Sequence, residues 1–397
     1  MAAPRWEPQV FAPYPAWPEI LFARIAARSP QFDPVCAAGE RPVIIGSAAG
    51  HQREQVVTGA RGELVERVSN ILAGRAAEAA AAVVATHRDL RRKGIPALDP
   101  AELAHRGTSS TPDEARDIQR LWVLGQTVPS GADCYVPAGA VYLHHRPPTG
   151  CDPAPGVGST GVAAHPDPQA AAEHAAWETL ERDLLRRSWY GQSPVATLLT
   201  PVILPEPLTK LLDGLDVEAT ALDVPAPGGT RCVAVCLHAP DRTQQTFGAR
   251  CGPDDGNLGR LLEKAAYEAL MVRWSVDSPV GRATWDSWGG RSAPDSAVRH
   301  ALWAYHRQDS LGRWTAAAPP ESGRRPTAPP DTPGKAGLNA LNDHTGRELV
   351  LVDTTHGPAR PLEMSVVRIV ATGARPLPTR PDGDRDPPVP RGPHPFG

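Results

Sequence analysis

The sequence predicts a mixed fold, α/β or α+β, in which alanine-rich helices pack on mixed sheets. Two sets of observations support this. Apolar residues recur at three- and four-residue steps in three stretches: Val57, Ala60, Leu64, Val68 and Ile71; Ala172, Ala176, Leu180 and Leu184; and Leu261, Leu262, Ala265, Ala269 and Val272. That spacing gives a helix one buried face. Between and after them lie stretches that read as strands: 42–50, 217–250 around the turn Ala226-Pro227-Gly228-Gly229, Glu348–Asp353 and Ser365–Ala371.

In chain order, residues 1–40 form an N-terminal extension with proline, tryptophan and a short helical stretch around Ile20–Arg28. The first strand runs into a small-residue loop, and the first helix follows, with the alanine-rich stretch 73–86 continuing it or packing beside it. Residues 119–143 hold a strand pair. A second small-residue loop, 156–164, leads to the second helix, which Asp167 caps and Pro168 opens. A third helix spans about Leu258 to Arg273. The main domain covers 41–375, with a Pro-rich loop at 317–336. A Pro-rich tail, 376–397, closes the sequence. Each helix follows the same loose plan, small residues, then acids, then arginine, as an internal repeat would.

The chain has 397 residues and a formal net charge of −3, so no global field draws it to nucleic acid or to a membrane. No apolar run is long enough to span a bilayer, and residues 1–8 lack the order of a secretory signal. The expected location is cytoplasmic. Six scattered cysteines do not make a disulfide scaffold or a zinc pattern; Cys232 and Cys236 read as core thiols on a buried strand. His144-His145 lacks a third metal ligand at a usual spacing, and Trp285 and Trp288 read as groove or core anchors.

One motif carries chemistry. Glu-x-x-Glu-Arg occurs at Glu63-Leu64-Val65-Glu66-Arg67 and again at Glu178-Thr179-Leu180-Glu181-Arg182. On a helix, residues three apart are neighbours, so each copy sets two carboxylates side by side with an arginine next to them. Carboxylates hold Mg²⁺ and arginine holds phosphate. The third helix adds Glu268 and Arg273. One copy alone also suits a solvated helix face; the set points to a metal–nucleotide site without a P-loop.

The ordered series resembles the YcaO family. It runs from Gly62–Arg67 through Glu178–Asp183 with Trp189, Lys264–Glu268 with Arg273, Leu351–Thr355 and Ser365–Ala371 to the closing Pro393-His394-Pro395-Phe396. The resemblance covers residues 42 to 397. It implies a YcaO-like fold around a nucleotide site and an ATP- and Mg²⁺-using enzyme that activates peptide backbone amides. In the azoline-forming branch a Cys, Ser or Thr side chain attacks the preceding carbonyl. Phosphorylation of the oxygen then makes it a leaving group. By this resemblance Glu63, Glu66, Glu178, Glu181 and Glu268 hold Mg²⁺. Arg67, Arg182, Arg273 and Arg368 contact phosphates or support the carboxylates, and Gly397 sits at the chemistry. Departures from the family pattern include Ala48-Ala49-Gly50, Gly59, His174, Met364, Thr372-Gly373 and Met271, whose thioether is no ligand for Mg²⁺.

The reading is a cyclodehydratase of ribosomal peptide natural-product biosynthesis, acting on a precursor peptide. The expected partner is a separate E1-like or leader-binding protein, since residues 1–40 are too short for a winged helix; a homodimer is a further expectation. Thioamide or amidine formation, or a non-catalytic partner subunit, are the alternatives.

Overall fold

In the computed structural model the described residues are 6–33, 35–103, 111–152, 157–307, 309–316, 335–379 and 392–397. The expected loop at 317–336 therefore lies almost wholly outside them, as does most of the tail. The strands and helices in chain order are β1 (Gln9–Phe11), β2 (Leu21–Arg28), β3 (Val43–Gly50), α1 (Arg53–Ala80), β4 (Val84–Ala85), α2 (His87–Arg92), α3 (Pro112–Asp117), β5 (Arg120–Val128), β6 (Asp133–Pro137), β7 (Val162–His165), α4 (Pro168–Trp189) and β8 (Thr197–Leu199). They continue with α5 (Glu206–Gly214), β9 (Glu218–Val224), β10 (Thr230–His238), β11 (Thr246–Pro253), α6 (Leu258–Val276), α7 (Pro279–Trp288), α8 (Ala297–His306), α9 (Ser310–Thr315), α10 (Gly337–Thr345), β12 (Leu349–Asp353) and β13 (Ser365–Ala371).

These strands form three sheets, ordered β1-β2-β3, β11-β10-β9-β8 and β4-β5-β12-β13-β7, with β6 pairing β5. Their ladders are antiparallel, so the fold is α+β and not a parallel α/β sheet.

The expected helix at Ile20–Arg28 is corrected: these residues are β2, paired along its whole length with β3. The period-two pattern is present in the sequence. Leu21, Ala23 and Ile25 pack with Val56 and Ala60 of α1, while Phe22 turns the other way onto Trp274. Leucine and alanine favour helices in isolation, but pairing across eight residues overrides that preference. Residues 47–50, expected as a loop, are likewise the end of β3.

The core explains the second sheet. Every residue of β10 is buried. Cys232, Ala234 and Cys236 face one cluster with α4, and Val233, Val235 and Leu237 face another with α6. A strand buried on both faces reads as a continuous apolar run, which is what the sequence shows there. Asp167 caps α4 by accepting from the Gln169 amide, with Pro168 in the first turn. Among the described residues no helix is long and apolar enough to cross a membrane.

Candidate active site

Three sheet edges converge on one cavity of about 2060 Å³. β3, β11 and β7 each end their sheet. An edge strand has backbone amides that no neighbouring strand can use. Here carboxylates from the helices take them. The Ser47 amide donates to Glu63 Oε2 at 2.5 Å, and the Gly161 amide, just before β7, donates to Glu178 Oε2 at 3.1 Å. On β11 the Cys251 amide donates to Glu181 Oε2 at 2.9 Å and the Ala249 amide to Glu268 Oε2 at 3.0 Å. One oxygen of each carboxylate is thus fixed by the backbone.

The close approach of helix to strand depends on two glycines. A Cβ on Gly46 would lie 2.2 Å from the Ala60 carbonyl oxygen and 2.6 Å from the Leu64 amide nitrogen. A Cβ on Gly248 would lie 2.2 Å from the Ala265 oxygen and 2.6 Å from the Ala269 nitrogen. In both cases the next strand residue binds the glutamate three residues after that alanine. The β3–α1 and β11–α6 units are therefore geometric repeats. In this superposition of roles Met271 stands where α1 has Glu66, and Lys264 where α1 has Gly59.

Arginines brace the acids. Arg67 pairs with Glu63 at 2.6 Å and donates to the Ile45 carbonyl at 2.8 Å. Arg182 lies 3.6 Å from Glu181 and 3.5 Å from Glu268. Burial works against the charge on Arg182, but Glu181, Glu268 and Glu178 outweigh it and hold the guanidinium ionised. Burial lowers Arg368 to about 10, against the pull of Glu178 and Glu66. Arg368 donates to the Gly158 carbonyl at 2.8 Å and supports the acids from behind.

Arg273 differs from the expectation. It does not line the cavity: its guanidinium donates to the Gln244 carbonyl and side chain at 2.8 and 3.0 Å and lies over the Tyr305 ring. Its place is in the scaffold. His145 is buried and bound to Glu78 at 2.8 Å, so the His144-His145 pair is structural too. Trp285 and Trp288 pack in an apolar cluster with α8.

The acids are crowded. Burial raises Glu66 well above the usual carboxylate range, and Glu178 adds to it. Burial likewise raises Glu178, and it pushes Glu181 up to about 7. The neighbouring arginines do not fully offset the raising of these carboxylates, and a divalent cation would supply the further positive charge. Their hard oxygen donors suit Mg²⁺. Among the described residues no group of three or more Asp, Glu, His or Cys side chains is placed to hold a metal ion by itself. Mg²⁺ shared between one or two carboxylates and nucleotide phosphates needs none.

Sequence reading missed the basic residues beside the acids. Arg250 of β11 and Arg260 and Lys264 of α6 line the same cavity. Burial, then Arg250 and Arg260, pulls Lys264 down to about 8. The signal was available: Arg260, Lys264 and Glu268 recur every four residues and share one face of α6. Three clustered cations beside a set of acids have the chemistry that could hold metal-bridged phosphates.

Beyond Glu268 the lining changes character. From Met271 through α7 and α8 to Ala301 it carries no charged side chain among the described residues. Val280 and Val298 are 76 % and 54 % exposed there. Gly397 sits in this arm, against Val272 of α6 and Ala297 and Ala301 of α8.

Comparison with known proteins agrees with this arrangement. The family model described as YcaO cyclodehydratase, ATP- and Mg²⁺-binding, matches residues 47–375. None of the curated proteins is similar enough in sequence to match. Among solved structures, a heterocyclase in complex with substrate and cofactor superposes with a TM-score of 0.65 at 16% identity, covering 93% of this chain and 50% of that one. This chain thus spans half the length of that relative. YcaO from Methanopyrus kandleri, bound with AMPPCP and Mg²⁺, gives 0.58 at 18% identity, covering 93% and 86%. The E. coli microcin synthetase McbBCD complex gives 0.59 at 16% identity, covering 89% and 84%. The match of the family model over most of its length makes this chain a member of the YcaO family, whose model is described as ATP- and Mg²⁺-binding.

Proposed function

We propose that the protein is an azoline-forming cyclodehydratase that converts Cys, Ser or Thr of a ribosomally made precursor peptide to thiazoline or oxazoline. The observation that carries this is the two-part cavity. A charged chamber suits Mg²⁺ and phosphates, and the uncharged lining from α6, α7 and α8, flanked by Arg24 over Trp274, suits a peptide. In this reading Glu63, Glu66, Glu178, Glu181 and Glu268 hold Mg²⁺. Arg67 and Arg182 keep the acids ionised and aimed, with Arg368 behind them. Arg250, Arg260 and Lys264 receive the phosphates. ATP with Mg²⁺, when bound, supplies the phosphoryl group that makes an amide oxygen a leaving group. The apolar arm positions the peptide and excludes water, and Gly397 faces the reacting amide. The microcin synthetase neighbour is a complex, and another of its structures holds pro-MccB17; a separate leader-binding or E1-like partner for this chain is proposed on the same ground.

The experiment combines the purified protein, ATP, Mg²⁺, a precursor peptide and its partner. Loss of one water per modified residue is expected, with ATP consumed. Glu63→Gln and Glu178→Gln should each lower the rate at least 100-fold while the far-ultraviolet circular dichroism is unchanged. Exchange of oxygen for sulfur in the product would replace azoline formation by thioamidation, and unimpaired turnover in both variants would remove the carboxylates from the reaction.

A further inference from the structure

The last residues of the sequence are locked into the core by a pair of stacked histidines. His300 of α8 and His394 lie ring on ring, centroids 3.8 Å apart and planes 5° from parallel. Both are buried, at 4 % exposure each. His300 Nδ1 bonds the His394 carbonyl at 2.9 Å, and His394 Nε2 bonds the Pro378 carbonyl at 2.8 Å. A carbonyl only accepts, so Nδ1 of His300 and Nε2 of His394 carry a proton, and a neutral ring satisfies each bond with its single N–H. The other nitrogens, His300 Nε2 and His394 Nδ1, have no hydrogen-bond partner among the described residues.

The same segment is anchored on both sides of the pair. Trp189 Nε1 donates to the Gly392 carbonyl at 3.0 Å. Phe396, 2 % exposed, packs edge-on against Phe247 and Trp314 at 5.8 and 5.7 Å. The segment ends at Gly397, in the neutral arm of the cavity.

We propose that His300 is a positioning residue for Gly397, and that the neutral His300–His394 stack is a latch that opens when either ring takes up a proton. A second proton on His394 would sit on a dry nitrogen without an acceptor, and one on His300 would have the Thr379 carbonyl near it but would charge a buried ring stacked on its neighbour. Charging both would stack two cations face to face. The charges that face the pair are few. Asp295, just before α8, faces His300 and favours its cation, as do the carbonyls of His394 and Thr379, but burial outweighs them. His394 is held well below the ordinary histidine value by burial, then by His300 and by Arg182 of α4, against the Pro378 carbonyl.

The sign follows. Free histidine takes its proton near 6.5, whereas the docked rings resist it. The released segment therefore binds more protons than the docked one below about pH 6.5, and docking weakens as pH falls through that value. Each ring multiplies the released-to-docked ratio by up to about tenfold per pH unit, and two rings by up to about a hundredfold. Above about pH 6.5 docking is independent of pH.

Hydrogen exchange of the full chain, read by mass spectrometry on residues 392–397 from pH 8 to 5 and corrected for intrinsic rates, tests the latch. Protection should be constant above about pH 6.5 and fall by tenfold or more per unit below it. His300→Asn places an amide donor where Nδ1 lies, and His394→Gln places one where Nε2 lies; neither can charge. The double variant should keep the segment docked and lose the pH dependence. Protection independent of pH in the native chain, or the same pH dependence in the double variant, would overturn the proposal. Histidine ring NMR on the native chain stands independently of how the variants fold: both rings should titrate below the ordinary value, and a titration at or above it would overturn the latch. These readouts need no substrate. Coupling to turnover rests on the cyclodehydratase reading: ATP use should fall in the same window in the native enzyme and not in the double variant. A pH-dependent segment with pH-independent ATP use would keep the latch and remove Gly397 from the chemistry.

Discussion

Lys264 shows what single residues reveal and conceal. The two Glu-x-x-Glu-Arg copies were legible because their spacing alone puts four carboxylates on two helix faces. Arg273 looked equivalent in sequence, yet it is spent on Gln244 and Tyr305, because nothing in a sequence tells which side of α6 meets the cavity. The four-residue spacing of Arg260, Lys264 and Glu268 is local to α6, whereas Arg250, which also lowers Lys264, lies on another element. The lowered Lys264 value of about 8 gives a pH dependence. A bound triphosphate favours the charged ammonium and raises its pKa. Nucleotide affinity should therefore be steady below about pH 8 and fall above it, until the pKa of the complex is reached. Lys264→Met should weaken Mg²⁺-nucleotide binding by about 10- to 100-fold, the loss of one charge-assisted hydrogen bond of about 1.5–3 kcal/mol. It should also flatten the decline around pH 8. Calorimetric titration with a non-hydrolysable ATP analogue at pH 7 and 9 measures both.

At the scale of elements, β2 and the two glycines carry the lesson. Helix positions and the late strands could be read because their periods are local. The strand at Leu21–Arg28 has a period of two as well, but its leucine and alanine also suit a helix, and pairing with β3 decides between them. Gly46 and Gly248 carried no signal in sequence, as their constraint is a helix backbone lying against the strand. Each lets an edge amide reach a glutamate. Gly248→Ala puts a methyl group 2.2 Å from the Ala265 oxygen, so β11 and α6 must part. Overpacking of this kind costs about 1–3 kcal/mol. Urea denaturation should show that loss. Because the Ala249 and Cys251 amides hold Glu268 and Glu181, Mg²⁺-nucleotide affinity should fall with it. Gly259→Ala, with nothing within 4 Å of its Cβ, is the control that should change neither.

The whole molecule makes its site by bringing three sheet edges to one place. Unsatisfied edge amides are a hazard for most folds; here they are taken by carboxylates and aim them at the cavity. The charged half of that chamber draws on β3, β7, β11 and the helices that cover them, whereas the neutral half comes from the end of α6, α7 and α8. Under the proposed function this division assigns nucleotide and peptide to different parts of the lining and so predicts two kinds of mutational effect. Val280 is 76 % exposed and lines the neutral half, so a carboxylate there needs no burial and costs little stability. It would, however, set a charge in the path of an apolar peptide segment. Val280→Asp should therefore raise the KM for precursor peptide by about tenfold or more, as the loss of one apolar contact and the desolvation of a new charge require. Nucleotide affinity and the melting temperature should stay near those of the native enzyme. Val280→Leu should restore the KM. Steady-state kinetics with peptide varied at saturating ATP, and then ATP varied at saturating peptide, separate the two halves: a parallel loss in both titrations would mean that the chamber and the arm bind one ligand between them.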